Sequence, residues 1–361
     1  MDRRSFIQHA GIAGVATAIA APAVHAQPAV RWRLAHSFPK SLDTIYGTAE
    51  TFAKLVSDMS GGKFAIQVFA AGEIVPPLAT LDAVQSGTVE CTHTASNFFA
   101  GKDETFAFNG IPFSLNSRQM SAWMFDGNGL KLMREFYKNY GVISFPMGNT
   151  GAQMGGWFRK EINSIADLKG LKMRVSGLVS GKVYERLGVV PQTIAGGDIY
   201  PALERGVLDA VEFSGPFDDQ KLGFYKVAPH YYYPGWHDGS PQLDLFVGQK
   251  AYDALPSEYK AMLEAAASHA HVVMQAKYDA RNPPALKQLV SLGAKLHRFP
   301  QEVVAAGYKE AMALYDEISA KNANWKKVYD DYAPFRADQN LWFSVAESSL
   351  DLFTQAQRRQ N

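Results

Sequence analysis

The middle of the chain carries the sequence that decides the fold: residues 151–160 read GAQMGGWFRK, residues 170–174 read GLKMR, and residues 196–213 read GGDIYPALERGVLDAVEF. Short apolar runs alternate here with segments of helical periodicity, which predicts strands and helices in the α/β class. Arg174 ends one predicted strand, and Glu212 lies inside another apolar run. We interpret this stretch as one wall of an anion-binding site.

The rest of the chain predicts a second sheet and two crossings. VRWRLA from Val30, KFAIQVFAAG from Lys63 and VECTHTAS from Val89 read as strands separated by helices. This order predicts a parallel sheet with right-handed crossovers. Residues 149–151 and 239–241 are the expected crossing points, and LDLFVG at 243–248 is the expected strand that returns to the first sheet. The expected domains are 27–150 with 240–280, and 151–239 with 281–335.

The last third of the chain reads as helix. The predicted helices cover residues 257–282, 301–319 and 336–359. The last one carries an apolar stripe at helical spacing, formed by Leu341, Trp342, Val345, Leu352 and Phe353. Such a stripe is typical of a helix that docks on a partner surface, so residues 336–361 are the expected C-terminal helical arm.

Composition and charge exclude some classes of protein. The 361 residues carry Lys+Arg 36 and Asp+Glu 35, a formal charge of +1, which lacks the basic excess of nucleic-acid-binding proteins. Cys91 is the single cysteine, so the chain forms no internal disulfide.

The N-terminus has the pattern of an export signal. Arg3 and Arg4 precede an apolar run that ends near Ala21, and small residues around His25 predict cleavage after Ala26. The adjacent arginines resemble the twin-arginine export motif. We therefore expect residues 1–26 to be removed and the mature protein to be periplasmic.

No common enzyme motif is present, and the charged residues of the middle stretch favour binding instead. Arg174 could present its fork to a ligand carboxylate, or it could form a surface ion pair with Asp167 or Glu185. If Arg174 binds a ligand carboxylate, we expect Arg174→Ala to abolish acid binding and to leave the stability of the empty protein nearly unchanged, whereas a large loss of stability would indicate the ion pair. Glu212, Asp238 and the amide oxygen of Gln153 would suit a hard cation, although spacing alone does not bring them together.

At these residues the sequence resembles the substrate-binding proteins of the tripartite ATP-independent periplasmic (TRAP) transporters. The DctP-type pattern is a strand that ends in arginine, here LKGLKMR, followed by a segment such as DIYPALERGVLDAVEF. NTGAQMGGWFR, RLGVVPQTIAGGDIYPALE and GPFDDQKLGFYKVAPHYYYPGW resemble the 2-oxoacid-binding branch of that family. The resemblance covers nearly the whole mature chain.

The resemblance implies a two-domain periplasmic binding protein with crossing strands and a long linking helix, which captures a solute without chemistry and passes it to TRAP membrane subunits. It implies that Arg174 binds the ligand carboxylate. Gln153, Glu212, the backbone of Phe213 and Asp238 would hold a sodium or calcium ion that also contacts a 2-oxo or 2-hydroxy monocarboxylate. The C-terminal helix would be a dimerisation arm. We expect the apolar walls of the pocket to be formed by Phe38, Phe99, Phe158, Phe213 and Trp236.

This chain departs from the branch at three places. Phe213 replaces a tryptophan, Asp238 replaces a glutamate, and the segment from Asn97 to Ala100 replaces tyrosine-rich residues. Because Phe99 and Ala100 would make the pocket roomier, we expect a ligand that is larger or more apolar than pyruvate. Two alternatives stay open: a periplasmic metal-assisted enzyme acting on 2-oxoacids with Glu212 or Asp238 as base, and a binding protein that serves a sensor.

Overall fold

Within residues 29–358, which this computed structural model describes, eleven strands form two sheets. The predicted signal peptide, residues 1–26, lies outside the described residues. The strands are β1 Val30–His36, β2 Phe64–Phe69, β3 Cys91–Thr94, β4 Val142–Asn149, β5 Gly156–Phe158, β6 Lys172–Arg174, β7 Val190–Gln192, β8 Ala210–Val211, β9 His230–Tyr233, β10 Gln242–Gly248 and β11 Lys295–Arg298.

Helices cover both sheets. They are α1 Ile45–Met59, α2 Thr80–Gln85, α3 Ser117–Phe125, α4 Gly129–Lys138, α5 Leu178–Arg186, α6 Gly196–Glu204, α7 Pro216–Leu222, α8 Gln249–Asp253, α9 Ser257–Ser291, α10 Gln301–Lys321, α11 Ala323–Phe343 and α12 Ser349–Arg358. None of the helices in the described part of the chain is long and apolar enough to cross a membrane.

The first sheet has the strand order β2-β1-β3-β10-β4. β1 pairs in parallel with β2 and β3, as the alternation of strands and helices predicts. β10 is the predicted return strand LDLFVG and it pairs antiparallel with both β3 and β4. The sheet is therefore mixed and not wholly parallel, because β10 enters from the second sheet and runs in the opposite direction.

The second sheet has the order β11-β9-β5-β8-β6-β7. The two strands of the first sheet from which the chain crosses to the second, β4 and β10, lie side by side. The chain leaves the first sheet after Asn149 and returns to it before Gln242. At this crossing Asn149 Nδ2 donates to the carbonyl of Ser240 at 3.0 Å, and the amide of Thr150 donates to the carbonyl of Pro241 at 3.1 Å. These bonds hold the two connections together between the sheets.

The long helix α9 also joins the two parts of the molecule. Its first half buries Tyr259, Leu263 and Ala270 in the core of the first sheet, and its second half buries Tyr278 and Leu289 beside the second. The sequence predicted that this helix ends at residue 282, before Pro283 and Pro284, but it continues to Ser291. Burial of Ala285 and Leu289 outweighs the hydrogen bonds that the two prolines remove.

The C-terminal helix begins earlier than the sequence predicted. It starts at Ala323 and not at residue 336, with the side chain of Asn322 accepting a hydrogen bond from the Trp325 amide at 3.0 Å. Trp325, Val328 and Tyr332 are buried against the rest of the protein. Beyond them the apolar side chains are exposed, and they are Leu341, Trp342, Val345, Leu350, Leu352 and Phe353.

Candidate binding site between the two sheets

Two neighbouring parallel strands bring the central charged residues together. Arg174 is the last residue of β6, and it lies in register with Val211 at the end of β8. Glu212 follows directly, so both side chains emerge at the carboxyl ends of their strands, where α/β sheets bind ligands. Gln153 comes from the first connection between the sheets, and Asp238 comes from the loop between β9 and β10.

Arg174 is buried and it is anchored by oxygens on three sides. Its Nη1 lies 3.1 Å from Glu212 Oε1 and donates to the Glu212 carbonyl at 2.6 Å, and its Nε donates to the carbonyl of Ile194 at 3.2 Å. The guanidinium lies over the ring of Phe213, with 5.2 Å between its central carbon and the ring centroid. The surface ion pair with Asp167 or Glu185 is therefore wrong, because the partner of Arg174 is Glu212.

This burial also changes the expected effect of Arg174 on stability. Removing one partner of a buried ion pair leaves the other charge without compensation, which costs about 3–5 kcal/mol. In place of the sequence-based expectation that Arg174→Ala leaves the empty protein nearly unaffected, we therefore expect a loss of stability. Ligand binding and fold stability have to be measured separately for this residue.

Glu212 lies between two cationic side chains. Its Oε1 accepts from Arg174 and from the backbone amide of Ser176, and its Oε2 lies 3.0 Å from His237 Nε2, without the alignment of a hydrogen bond. Burial acts to raise the pKa of Glu212, but the charges of Arg174 and His237 outweigh it and hold the pKa below its usual range. Burial acts to lower the pKa of His237, but the neighbouring carboxylate of Glu212 has the larger effect, so the pKa of His237 is raised. Arg174, Glu212 and His237 form a triad of ionisable groups in the protein interior.

Asp238 is held by two serines. Ser180 Oγ donates to Asp238 Oδ1 at 2.9 Å, and Ser176 Oγ donates to Oδ2. Burial, followed by the nearby charge of Glu212, raises the pKa of Asp238 above its usual range. Ligand atoms of Glu212, His237 and Asp238 all lie within 4.8 Å of one another.

A cavity of about 30 Å³ lies beside these residues, between the two sheets. The residues around it are Phe38, Ile45, Ala95, Asn97, Phe98, Thr150, Gln153, Arg174, Ser176, Phe213, Ser214, Asp238, Pro241 and Leu243. Gln153 Nε2 donates to Thr150 Oγ1 at 3.3 Å, but Gln153 Oε1 has no hydrogen-bond partner in the described part of the chain. Glu212 Oε2 also has none there.

The unpartnered oxygens allow a test of whether the residues fit a cation. A buried oxygen without a partner is costly, and a hard cation such as sodium or calcium takes oxygen ligands of the amide, carbonyl and carboxylate types. Gln153 Oε1 and Glu212 Oε2 are oxygens of these types, although Glu212 Oε2 is ion-paired with His237. Gln153 and Phe213 line the cavity. These residues fit a hard cation. Asp238 already accepts a hydrogen bond at each of its two oxygens.

Three of the predicted wall residues lie elsewhere. Phe99 packs against Phe106 and Phe246 in the core, Phe158 packs against Tyr232 and Phe299, and Trp236 stacks on Phe113 at 5.5 Å. None of the three lines the cavity, whereas Phe38 and Phe213 do. The single turn of 3-10 helix at Ser96–Phe99 turns Phe98 toward the cavity and Phe99 into the core. The argument for a roomier pocket from Phe99 and Ala100 is therefore wrong, since both are buried away from it.

Other residues of the site were not predicted. His237 directly precedes Asp238 and completes the triad, so its position next to a singled-out carboxylate was a usable signal. Ser176 follows Arg174 by two residues, which places it past the same strand end. Ser180 and Asn97 carried no signal, because an isolated hydroxyl or amide in a loop or helix is common and its partner is known only from the fold.

Comparisons with known proteins agree with this architecture. Residues 34–322 match the family described as bacterial extracellular solute-binding protein, family 7 (DctP). The chain is 47% identical to a monocarboxylate 2-oxoacid-binding periplasmic protein of Nostoc sp., over 98% of this chain and 99% of that protein.

Solved structures give the same result. A TRAP transporter solute-binding protein from Bordetella bronchiseptica, with copurified calcium and picolinate in one site of a dimer, is 50% identical with a TM-score of 0.91, over 92% of this chain and 99% of that chain. A TRAP periplasmic solute-binding protein from Pseudoalteromonas atlantica with bound sodium and pyruvate is 37% identical with a TM-score of 0.86, over 89% of this chain and 98% of that chain. This family consists of binding proteins and not of enzymes. The two-sheet α/β fold and the resemblance to TRAP solute-binding proteins are confirmed, and the chain belongs to the DctP family of bacterial extracellular solute-binding proteins.

Proposed function

We propose that this protein captures a 2-oxo or 2-hydroxy monocarboxylate, together with a sodium or calcium ion, and delivers it to the membrane subunits of a TRAP transporter. The observation that carries the proposal is that the buried guanidinium of Arg174 and the unpartnered amide oxygen of Gln153 line one cavity, with Glu212 paired to the guanidinium. The relatives with calcium or sodium and a small carboxylate support the same ligand class.

Arg174 is the proposed anchor for the ligand carboxylate. Within the described residues its Nη1 and Nε bond to protein oxygens, which leaves Nη2 for a ligand. A charge-assisted bond to a buried guanidinium is stronger than a neutral one, and it gains further from the exclusion of water. Gln153, Glu212 and the backbone of Phe213 are the proposed holders of the cation, and Asp238 supports them from its two serines. A bound cation supplies positive charge that the carboxylate and the adjacent 2-oxo or 2-hydroxy oxygen share.

The walls of the cavity set the proposed size of the ligand. Phe38, Phe98 and Leu243 supply apolar surface opposite Arg174 and Gln153. This combination of apolar walls with a few polar anchors is typical of small-molecule sites. Since Phe99 and Ala100 are buried away from the cavity and add no space to it, we propose a short apolar substituent on the acid and not the larger one that the sequence suggested.

We propose that the protein is exported to the periplasm. Residues 1–26, with Arg3 and Arg4, are the proposed twin-arginine signal.

The exposed apolar face of the C-terminal helix, which includes Leu341, Trp342 and Phe353, is the proposed dimerisation surface. The dimer described for the Bordetella bronchiseptica protein supports a homodimer here.

A thermal-shift experiment tests the proposal. The mature protein is depleted of metal and then heated with sodium or calcium and a panel of 2-oxo, 2-hydroxy and plain carboxylic acids. A ligand that binds only the folded state at 100 times its Kd stabilises it by about 2.7 kcal/mol, so binding raises the melting temperature. We expect a rise for short 2-oxo or 2-hydroxy acids that requires the cation.

Two variants assign the effect to the site. Gln153→Leu removes the unpartnered amide oxygen and is expected to weaken the cation dependence. Gln249→Leu, at the start of the distant helix α8, is the matched control and is expected to behave like the wild type. If plain carboxylates or sugar acids stabilise the protein equally without any cation, the cation assignment is wrong. If no acid in the panel changes the melting temperature, the capture function itself is wrong.

A further inference from the structure

A second group of metal-ligand side chains lies on the second sheet, at its β11 edge. His230 begins β9, His297 lies on the neighbouring strand β11, and Glu161 follows β5 on the other side of β9. The parallel register pairs Tyr232 with His297, two residues beyond His230. Because alternate residues of a strand share a face, His230, Tyr232 and His297 project on the same side of the sheet.

The ligand atoms of these residues are close enough to share one ion. His230 Nδ1 lies 3.0 Å from His297 Nε2 and 3.8 Å from Glu161 Oε1, and the three atoms are all within 4.8 Å of one another. A tetrahedral zinc ion with bonds of about 2.0–2.1 Å holds two ligand atoms roughly 3.3 Å apart. The two imidazole nitrogens are therefore within a few tenths of an ångström of this spacing, and the Glu161 carboxylate has to move closer when an ion binds.

Tyr232 holds one of the two imidazoles in place. The ring of His297 stacks on Tyr232 with ring centroids 5.0 Å apart and an interplanar angle of 19°. The hydroxyl of Tyr232 accepts a hydrogen bond at 2.7 Å from the amide of Ile162, the residue after Glu161. Tyr232 thus fixes both one imidazole and the turn that carries the carboxylate. Sites with little to reorganise lose less entropy when they bind.

We propose that His230, His297 and Glu161 form a site for zinc or another divalent transition-metal ion, separate from the site between the sheets. Two imidazole nitrogens and one carboxylate are the donor set of such ions, whereas calcium and sodium prefer oxygen alone. The carboxylate is half exposed, so water has access to the remaining coordination position. The bound ion would tie the edge strand β11 to β9 and to the turn after β5.

Two features argue for a different role and define the test. The two imidazoles also satisfy each other as a simple hydrogen-bonded pair, one nitrogen donating and the other accepting. Lys295 lies near His230 and its charge opposes a bound cation. A purely structural pair would bind no metal, whereas the proposed site binds one ion per chain at this edge.

Metal titration of the mature protein distinguishes the two roles. The protein is prepared without a polyhistidine tag, stripped of metal, and titrated with Zn²⁺ by calorimetry and with Co²⁺ by visible absorption, which reports tetrahedral nitrogen and oxygen ligands. We expect His297→Gln to weaken Zn²⁺ binding at this site at least 10-fold and to abolish the Co²⁺ bands. Glu161→Gln, at an exposed position, is expected to weaken binding without threatening the fold.

Two further variants serve as controls. His269→Gln removes an exposed histidine of α9 and is expected to leave Zn²⁺ binding unchanged. Glu212→Gln disables the other cluster and, once circular dichroism shows that the variant is folded, is expected to leave the Co²⁺ bands intact. The proposal fails if Zn²⁺ binding in the micromolar range is absent from the wild type. It also fails if His297→Gln and Glu161→Gln both bind Zn²⁺ like the wild type, or if the bands disappear in Glu212→Gln alone.

Discussion

Glu212 and Asp238 form one pair of buried acids and Asp218 and Asp219 form another, and the pKa of Glu212 is shifted in the opposite direction from those of the other three. Asp238 lines the cavity, and Glu212 is flanked by the basic side chains of Arg174 and His237. Asp218 and Asp219 are as deeply buried, but the donors around them are neutral. Trp157 Nε1 and the Tyr231 hydroxyl donate to Asp219 Oδ2 at 3.0 and 2.7 Å, and the Tyr278 hydroxyl donates to Asp218.

The different surroundings set different charges. Burial raises the pKa of Asp218 and of Asp219 to about 7, and the neutral donors do not offset it. Asp218 Oδ1 has no partner within the described residues, which adds to the cost of charging it. At Glu212 the two cations reverse the effect of burial. Of these four acids only Glu212, beside Arg174, has a lowered pKa, and the other pair links α7 to β9 and α9.

The largest effect is expected from Arg174→Met in the charged cluster. Truncating one partner of a buried charge pair costs about 2–5 kcal/mol, so we expect the affinity for the acid to fall about 1,000-fold. Calorimetric titration with the acid identified by thermal shift, at saturating cation, measures the loss. Arg186→Met is the matched control, because Arg186 pairs with Glu310 and Glu317 on the surface.

A second variant separates binding from folding at this residue. Arg174→Lys keeps a positive charge beside Glu212 but lacks the planar fork, so it is expected to be folded and to bind the acid more weakly than the wild type. Wild-type affinity in a folded Arg174→Met protein would remove Arg174 from the ligand site and leave it as the structural partner of Glu212.

The sequence was enough to single out Arg174 and Glu212 as functional residues. Arg174 and Glu212 stood out because each is a charge in or next to an apolar run, and a buried charge needs a partner. The alternating pattern also predicted the first three strands and the return of β10, which the structure confirms. Those signals are local, and local periodicity is what a sequence displays most directly.

Features that depend on packing were not predicted. The helix that continues through Pro283 and the edge strand β11 are stabilised by contacts with distant residues, which outweigh local preferences. Phe98 lines the cavity in place of the predicted Phe99 because of one turn of 3-10 helix, in which neighbouring side chains face different directions. The neutral network of Asp219 has no sequence signal, since its donors come from β5 and β9.

A smaller effect is expected from Asp219→Ala, which removes the neutral network. The variant leaves the Trp157 and Tyr231 donors buried without an acceptor, and each unsatisfied group costs about 1–3 kcal/mol. We expect a loss of about 2–3 kcal/mol in the free energy of unfolding, measured by urea denaturation, and unchanged affinity for the acid in the folded protein. Asp219→Asn keeps one carbonyl acceptor and is expected to lose less. A large loss of affinity with little loss of stability would place Asp219 in the binding site and end the distinction between the two pairs.

The smallest effect concerns pH and Asp218. Its pKa in the folded protein, about 7, lies above the ordinary value of 3.8, so the folded state binds more protons between these limits. The stability that the neutral carboxyl contributes is fully present below pH 3.8 and is lost as the pH rises to about 7 and beyond.

Asp218→Asn stays neutral at every pH, so its free energy of unfolding should fall less steeply than that of the wild type as the pH rises. We expect the difference between the two proteins to change by about 1 kcal/mol between pH 6 and pH 7. Urea denaturation across this range measures it, and Asp126→Asn, at an exposed position, should follow the wild type. Parallel curves for the wild type and Asp218→Asn would mean that Asp218 is charged in the folded protein. Asp218 and Glu212 would then both be charged, and they would differ only in the groups that surround them.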